Sequence, residues 1–115
     1  MAAAPSERPN LHVAKPKPPS HLRAATRKWW TQVVTDYDLE PHDLKLLAAA
    51  CSTWDRLEEA RETLARDGTY VEGRYGLRAH PAVAVERDSR LAFARLLREL
   101  DLDGEPLPDP RPRRR

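Results

Sequence analysis

Cysteine is almost missing from this 115-residue chain. The single residue, Cys51, excludes an internal disulfide and any cysteine-rich zinc site. Apolar residues are too dispersed for a run of ~20, so no membrane-spanning helix is expected. No apolar stretch of about 7–15 residues follows a basic start, so no secretory signal is expected either. Charge of one sign is also scarce, since the net charge of +2 is too small to define a partner. Together these absences predict a soluble, intracellular protein of one small domain. With 40% hydrophobic residues its core is modest, which makes oligomerisation a natural source of further stability.

Catalytic patterns are lacking as well. Ser6, Ser20, Ser52 and Ser89 sit in no G-x-S-x-G elbow. The four glycines include Gly73 and Gly76 of "GRYG", which lacks the Lys-Ser/Thr pair of a nucleotide-binding loop. His12, His21, His42 and His80 are scattered, with no H-E-x-x-H spacing. Asp36, Asp38, Glu40 and Asp43 cluster in one turn and have the chemistry of a divalent-cation site. Turn formation and helix capping explain them more simply. No enzyme, cofactor or metal is expected.

What the chain has in quantity is proline and arginine, unevenly placed. Residues 1–19 contain five prolines, with three basic residues against one acidic. Residues 104–115 contain four prolines, with Arg111, Arg113, Arg114 and Arg115 against Glu105 and Asp109. Repeated proline removes backbone donors and disfavours helix. Both ends are therefore predicted to be disordered basic tails, with a structured domain over 20–103.

That domain reads as mainly α. A first helix is predicted over 21–37, capped by Ser20. Leu22, Ala25, Trp29, Val33 and Tyr37 form its apolar stripe, widened by Trp30 and Val34. A second spans 41–67, opened by Pro41 and stopped by Gly68. Its apolar face carries Leu44, Leu47, Ala48, Cys51, Trp54, Leu57 and Leu64. A third runs from Pro81 to Leu102, with Val85, Ala92, Leu96 and Leu100 in line, broadened by Ala84, Leu91 and Phe93. Between the second and third, "TYVEGRYGLRA" predicts a small β-hairpin turning at Gly73–Gly76. The fold class is thus a three-helix core, a two-helix hairpin plus a C-terminal helix, with a β-hairpin between helices 2 and 3.

Arginine and lysine supply the functional lead. Arg23, Arg27 and Lys28 fall on one side of the first helix, and Arg74 and Arg78 punctuate the hairpin. A guanidinium matches phosphate with paired hydrogen bonds, and backbone contacts need no sequence motif. A solvated charged face is the plainer alternative, as is intrahelical pairing of Arg61 with Glu58 and Arg90 with Glu86. Trp29 and Trp54 read as core, while Trp30 is open to a core, subunit or base-stacking role.

The order of these elements resembles the phage terminase small subunits. The resemblance rests on Pro19 to Leu22 with Trp29, Leu39 to Asp43, Cys51 with Trp54, Gly68, Gly76, Pro81-Ala82, and a last helix closing at Leu100 and Leu102. It covers residues 16–103. His80 stands where that family usually has asparagine, and histidine is also able to cap a helix. The resemblance implies a non-enzymatic adaptor of viral genome packaging, acting in the host cytoplasm. Such subunits form ring-like homo-oligomers, bind double-stranded viral DNA, and recruit and regulate a large subunit that holds the ATPase and nuclease. In that setting Arg23, Arg27, Lys28, Arg74 and Arg78 are the candidate DNA contacts, and Trp30 and Val34 the candidate subunit contacts. Arg111, Arg113, Arg114 and Arg115 form the candidate partner-binding tail. Two other classes compete: a helical scaffold that binds only protein, and a helix-turn-helix regulator built on the turn "DYDLEPHD".

Overall fold

The computed structural model describes residues 15–102. The predicted tail 104–115, and residues 1–14 of the predicted arm, lie outside the described residues. Three helices form, α1 (Ala24–Asp36), α2 (Pro41–Asp67) and α3 (Ala82–Leu100). Strands β1 (Tyr70–Gly73) and β2 (Gly76–Ala79) pair between α2 and α3. The mainly helical architecture with its inserted hairpin is the one the sequence predicts.

The 27-residue α2 is about 40 Å long and serves as the spine. Its bounds match the prediction because both ends carry strong local signals. Pro41 opens the first turn, and the Asp43 carboxylate accepts the Glu40 backbone N–H at 3.2 Å, one limb of a capping box. The acidic turn is therefore used in capping. Gly68 ends the helix at φ 88°, a conformation that costs glycine little. Both α1 and α3 pack antiparallel to this spine. Trp54 meets Phe93, and Arg61 meets Glu86, pairings that fix α3's direction.

The start of α1 departs from the prediction. Ser20 is not its cap. Residues 20–22 turn instead, with the Leu22 N–H reaching the Pro19 carbonyl at 3.3 Å. The helix begins after Arg23, and the capping acceptor comes from α2. Asp55 takes the Arg23 backbone N–H at 2.9 Å and the Thr26 hydroxyl at 2.5 Å. A carboxylate there also suits the positive end of the α1 dipole.

This changes the buried stripe. Leu22, Thr26, Trp30, Val33 and Val34 are buried, whereas Ala25 and Tyr37 are exposed and Trp29 is half-buried. Leu22, Trp30, Val33 and Val34 join Leu47, Ala50, Cys51 and Leu100 in one cluster. Trp30 and Val34, each 4% exposed, pack in the chain's own core. Residues 15–19 lie over them. The Trp30 indole N–H donates to the Pro16 carbonyl at 3.0 Å, and Lys15 Nζ donates to the Val34 carbonyl at 3.0 Å. The latter satisfies one of the free acceptors at the helix end. Lys15 and Pro16, from the predicted arm, thus contact α1.

On α3 the buried line includes Ser89 and Leu100, with Ala92, Phe93 and Leu96 half-buried. Ala84, Val85 and Leu91, predicted to face the core, are exposed. Helix α3 lies across a single neighbour, α2, over much of its length, so it has only a narrow face to bury.

The Asp55 bridge yields the first prediction. Asp55→Ala leaves the buried Thr26 hydroxyl and the Arg23 amide without their acceptor, a cost of about 1–3 kcal/mol. Urea unfolding checks this, and Thr26→Val combined with Asp55→Ala should cost less than the two changes summed. A wild-type midpoint for Asp55→Ala would contradict the bridge.

Candidate functional site

The five basic candidates have very different surroundings. Arg23 on α1 forms a two-pronged pair with Glu62 on α2, at 2.8 and 3.0 Å. That hydrogen bond raises the Arg23 pKa and holds the Glu62 carboxyl below its ordinary value. Arg27 donates to the Leu22 carbonyl, wrapping back over its own helix start. Lys28 is exposed and has no ion-pair partner among the described residues.

The hairpin differs. Its register pairs Tyr70 with Ala79, Val71 with Arg78, Glu72 with Leu77, and Gly73 with Gly76. Arg74 and Tyr75 make the two-residue turn, and Gly76 adopts φ 114°, which a side chain would strain. Arg78 crosses directly over Gly73, where an added Cβ would lie 2.8 Å from its Cδ. Arg74 stacks near the Tyr75 ring, 5.8 Å from its centroid. Tyr75 is 93% exposed, and Tyr70 and Leu77 are also open to solvent. Neither arginine pairs with a carboxylate among the described residues.

The ribbon is fixed at its base. His80 donates its backbone N–H to the Thr69 carbonyl at 2.7 Å. Its Nδ1 accepts the Ala82 N–H at 3.0 Å, capping α3 from one residue before Pro81. Its Nε2 contacts Asp67 Oδ2 at 3.0 Å, at the end of α2. Asp67 also binds Arg66 at 2.9 Å; that bond first, and the one to His80 second, hold its carboxyl below the ordinary range. One imidazole thus joins the end of α2, the base of the ribbon and the start of α3.

The arginines of α3 are partly spent. Arg90 meets Glu86 at 3.4 Å, and Arg87 meets Asp88 at 3.3 Å. Arg61 pairs with Glu86 across the two helices, in place of the predicted Glu58. Arg95 and Arg98 are exposed and unpaired among the described residues. Arg111, Arg113, Arg114 and Arg115 lie outside the described residues. Among the described residues no three His, Cys, Asp or Glu side chains gather to hold a metal. None of the described helices is long and apolar enough to cross a membrane.

Sequence reasoning missed Asp55 and Glu62 because they meet α1 across 32 and 39 residues. A signal does exist: Asp55, Glu59 and Glu62 recur at helical spacing along one side of α2, facing basic α1.

A family model for the small subunit of phage terminase matches residues 26–105. The chain belongs to that family. The match spans most of α1, the spine, the ribbon and all of α3, so the terminase small subunit carries the hairpin as part of its family domain. Membership ties it to phage DNA packaging. No curated protein and no solved structure matches the chain.

Two predictions follow from these environments. Glu62 loses its proton more readily in the folded chain than in the unfolded one. Its contribution is therefore present above the ordinary carboxylate range and fades as pH falls through the depressed folded value. Glu62→Gln should flatten the acid side of the stability–pH curve; an unchanged curve would contradict the pairing with Arg23. Cys51 is fully buried, and burial, with the Asp55 charge second, pushes its thiol up to about 12. An aromatic disulfide reagent should label it only at the unfolding rate, and immediate labelling of the native chain would contradict that burial.

Proposed function

We propose that this terminase small subunit is a non-catalytic DNA-packaging adaptor that grips double-stranded viral DNA through its β-ribbon. The observation that carries the reading is the pair Arg74 and Arg78, held on an exposed hairpin without carboxylate partners. A two-stranded ribbon fits the major groove, and arginines on it reach phosphates or base edges. Arg23 drops out of the contact because Glu62 already neutralises it, whereas Arg27 keeps its charge while one nitrogen binds its own helix start. Arg27 and Lys28 are the α1 cations without a carboxylate partner among the described residues.

Weak contacts of this kind gain strength by repetition. A ring of identical subunits presents many ribbons to one duplex, and avidity replaces single-site affinity. With Trp30 and Val34 consumed internally, the subunit contact falls to apolar residues still open on α3, Val85 and Leu91. The adaptor recruits and regulates the large subunit, which supplies ATPase and nuclease, with Arg111, Arg113, Arg114 and Arg115 as the docking tail. The setting is the host cytoplasm, where the phage genome is packaged. A helix-turn-helix reading is disfavoured by α2, whose wet side carries Glu58, Glu59 and Glu62 and would repel phosphate.

Arg74→Ala combined with Arg78→Ala should keep the helical circular dichroism and weaken DNA binding. Removing two phosphate contacts flattens the plot of log affinity against log salt by about 1.8 per engaged chain. Fluorescence anisotropy on a labelled duplex measures this. Unchanged affinity and slope would remove the ribbon from the interface.

A further inference from the structure

The valley between α1 and α3 is lined by aromatic rings that the core does not cover. Ala25, Thr26, Trp29, Trp54, Phe93 and Leu97 enclose a cavity of about 370 Å³. Phe93 tilts against both tryptophans, with centroids 6.3 Å from Trp29 and 5.0 Å from Trp54. Both tryptophans are half-buried, and neither indole N–H has a hydrogen-bond partner among the described residues. A second cavity continues the valley past Trp29 and Leu97 to Arg98, Asp101 and Leu102. The groove therefore leads to the point where α3 ends.

We infer that this groove binds the chain's own proline-rich segment after Leu102, with Pro106-Leu107-Pro108 seated on Trp29, Trp54 and Phe93. Three features favour this occupant over any other. Asp101 ends α3 in the left-handed conformation, at φ 54° and ψ 47°, which turns the chain away from the helix axis beside Leu102, itself packed on the core. The reach also fits. Phe93 lies eight residues back from Asp101 along α3, or about 12 Å. Six residues of polyproline II cover about 19 Å, enough to bring Leu107 level with it.

The chemistry matches as well. Aromatic grooves with free indole donors recognise polyproline II segments, whose carbonyls are unpaired. The fold already does this once, where Trp30 donates to the Pro16 carbonyl of the other proline-rich segment. Docking the prolines on the valley would carry Arg111 and the final arginines along the molecule towards the end of α2. The inference does not depend on DNA binding.

The test is acrylamide quenching of tryptophan fluorescence in the full chain. Trp30 is buried and contributes little, so the signal reports Trp29 and Trp54. Leu107→Ser combined with Pro108→Ser should raise the quenching constant about twofold by uncovering the groove, while leaving helical content unchanged. In the wild type, protection should persist on about tenfold dilution, because the contact is intramolecular. Equal quenching in wild type and variant would overturn the inference. Protection that fades on dilution would also overturn it, assigning the groove to a second copy, such as its Tyr75 ribbon tip.

Discussion

One carboxylate, Asp55, sets the arrangement of the first helix. It sits mid-spine and takes both the Arg23 amide and the Thr26 hydroxyl. That pair of bonds decides where α1 begins and which way it is rotated. Thr26 turns inward to meet Asp55, so Trp30, Val33 and Val34 follow it into the core. Trp29, one residue away, is left in the valley facing Trp54 and Phe93. With α1 fixed, Arg23 reaches Glu62, and the charge on this side of the molecule becomes structural.

How much of this was readable beforehand depended on how local the signal was. The bounds of α2 follow from Pro41 and Gly68, and the ribbon follows from "TYVEG", a two-residue turn and Gly76. His80 caps α3 in the way its family position suggested. The rotation of α1 was not readable from its own residues. Leu22 and Val33 belong to both possible stripes, and adjacent tryptophans at 29 and 30 make the two nearly equal in hydrophobicity. The deciding residue is Thr26, a polar side chain whose burial is tolerable only because an acceptor 29 positions away satisfies it. The same long-range pairing removed Arg23 from the list of free cations. On α3, Val85 and Leu91 follow helical spacing but have no facing element, so periodicity alone overstated the core.

The distribution of arginines then separates fold from function. Arg23, Arg61, Arg66, Arg87 and Arg90 all meet carboxylates. Arg74 and Arg78 are offered on a ribbon that contributes nothing to the buried core and is anchored through His80. A two-stranded hairpin is marginal by itself in water, and this one persists through its anchored base. That combination of open tip and fixed base is what the proposed DNA grip needs. The family assignment supplies the packaging context, and the unpaired arginines of the ribbon motivate the proposed grip within it.

The most direct test of that grip is hydrogen–deuterium exchange of the full chain with and without duplex DNA. The account predicts slower exchange on DNA addition at residues 70–79, with amides 24–36 of α1 unchanged. Protection confined to α1, with the ribbon exchanging as in the free protein, would contradict it.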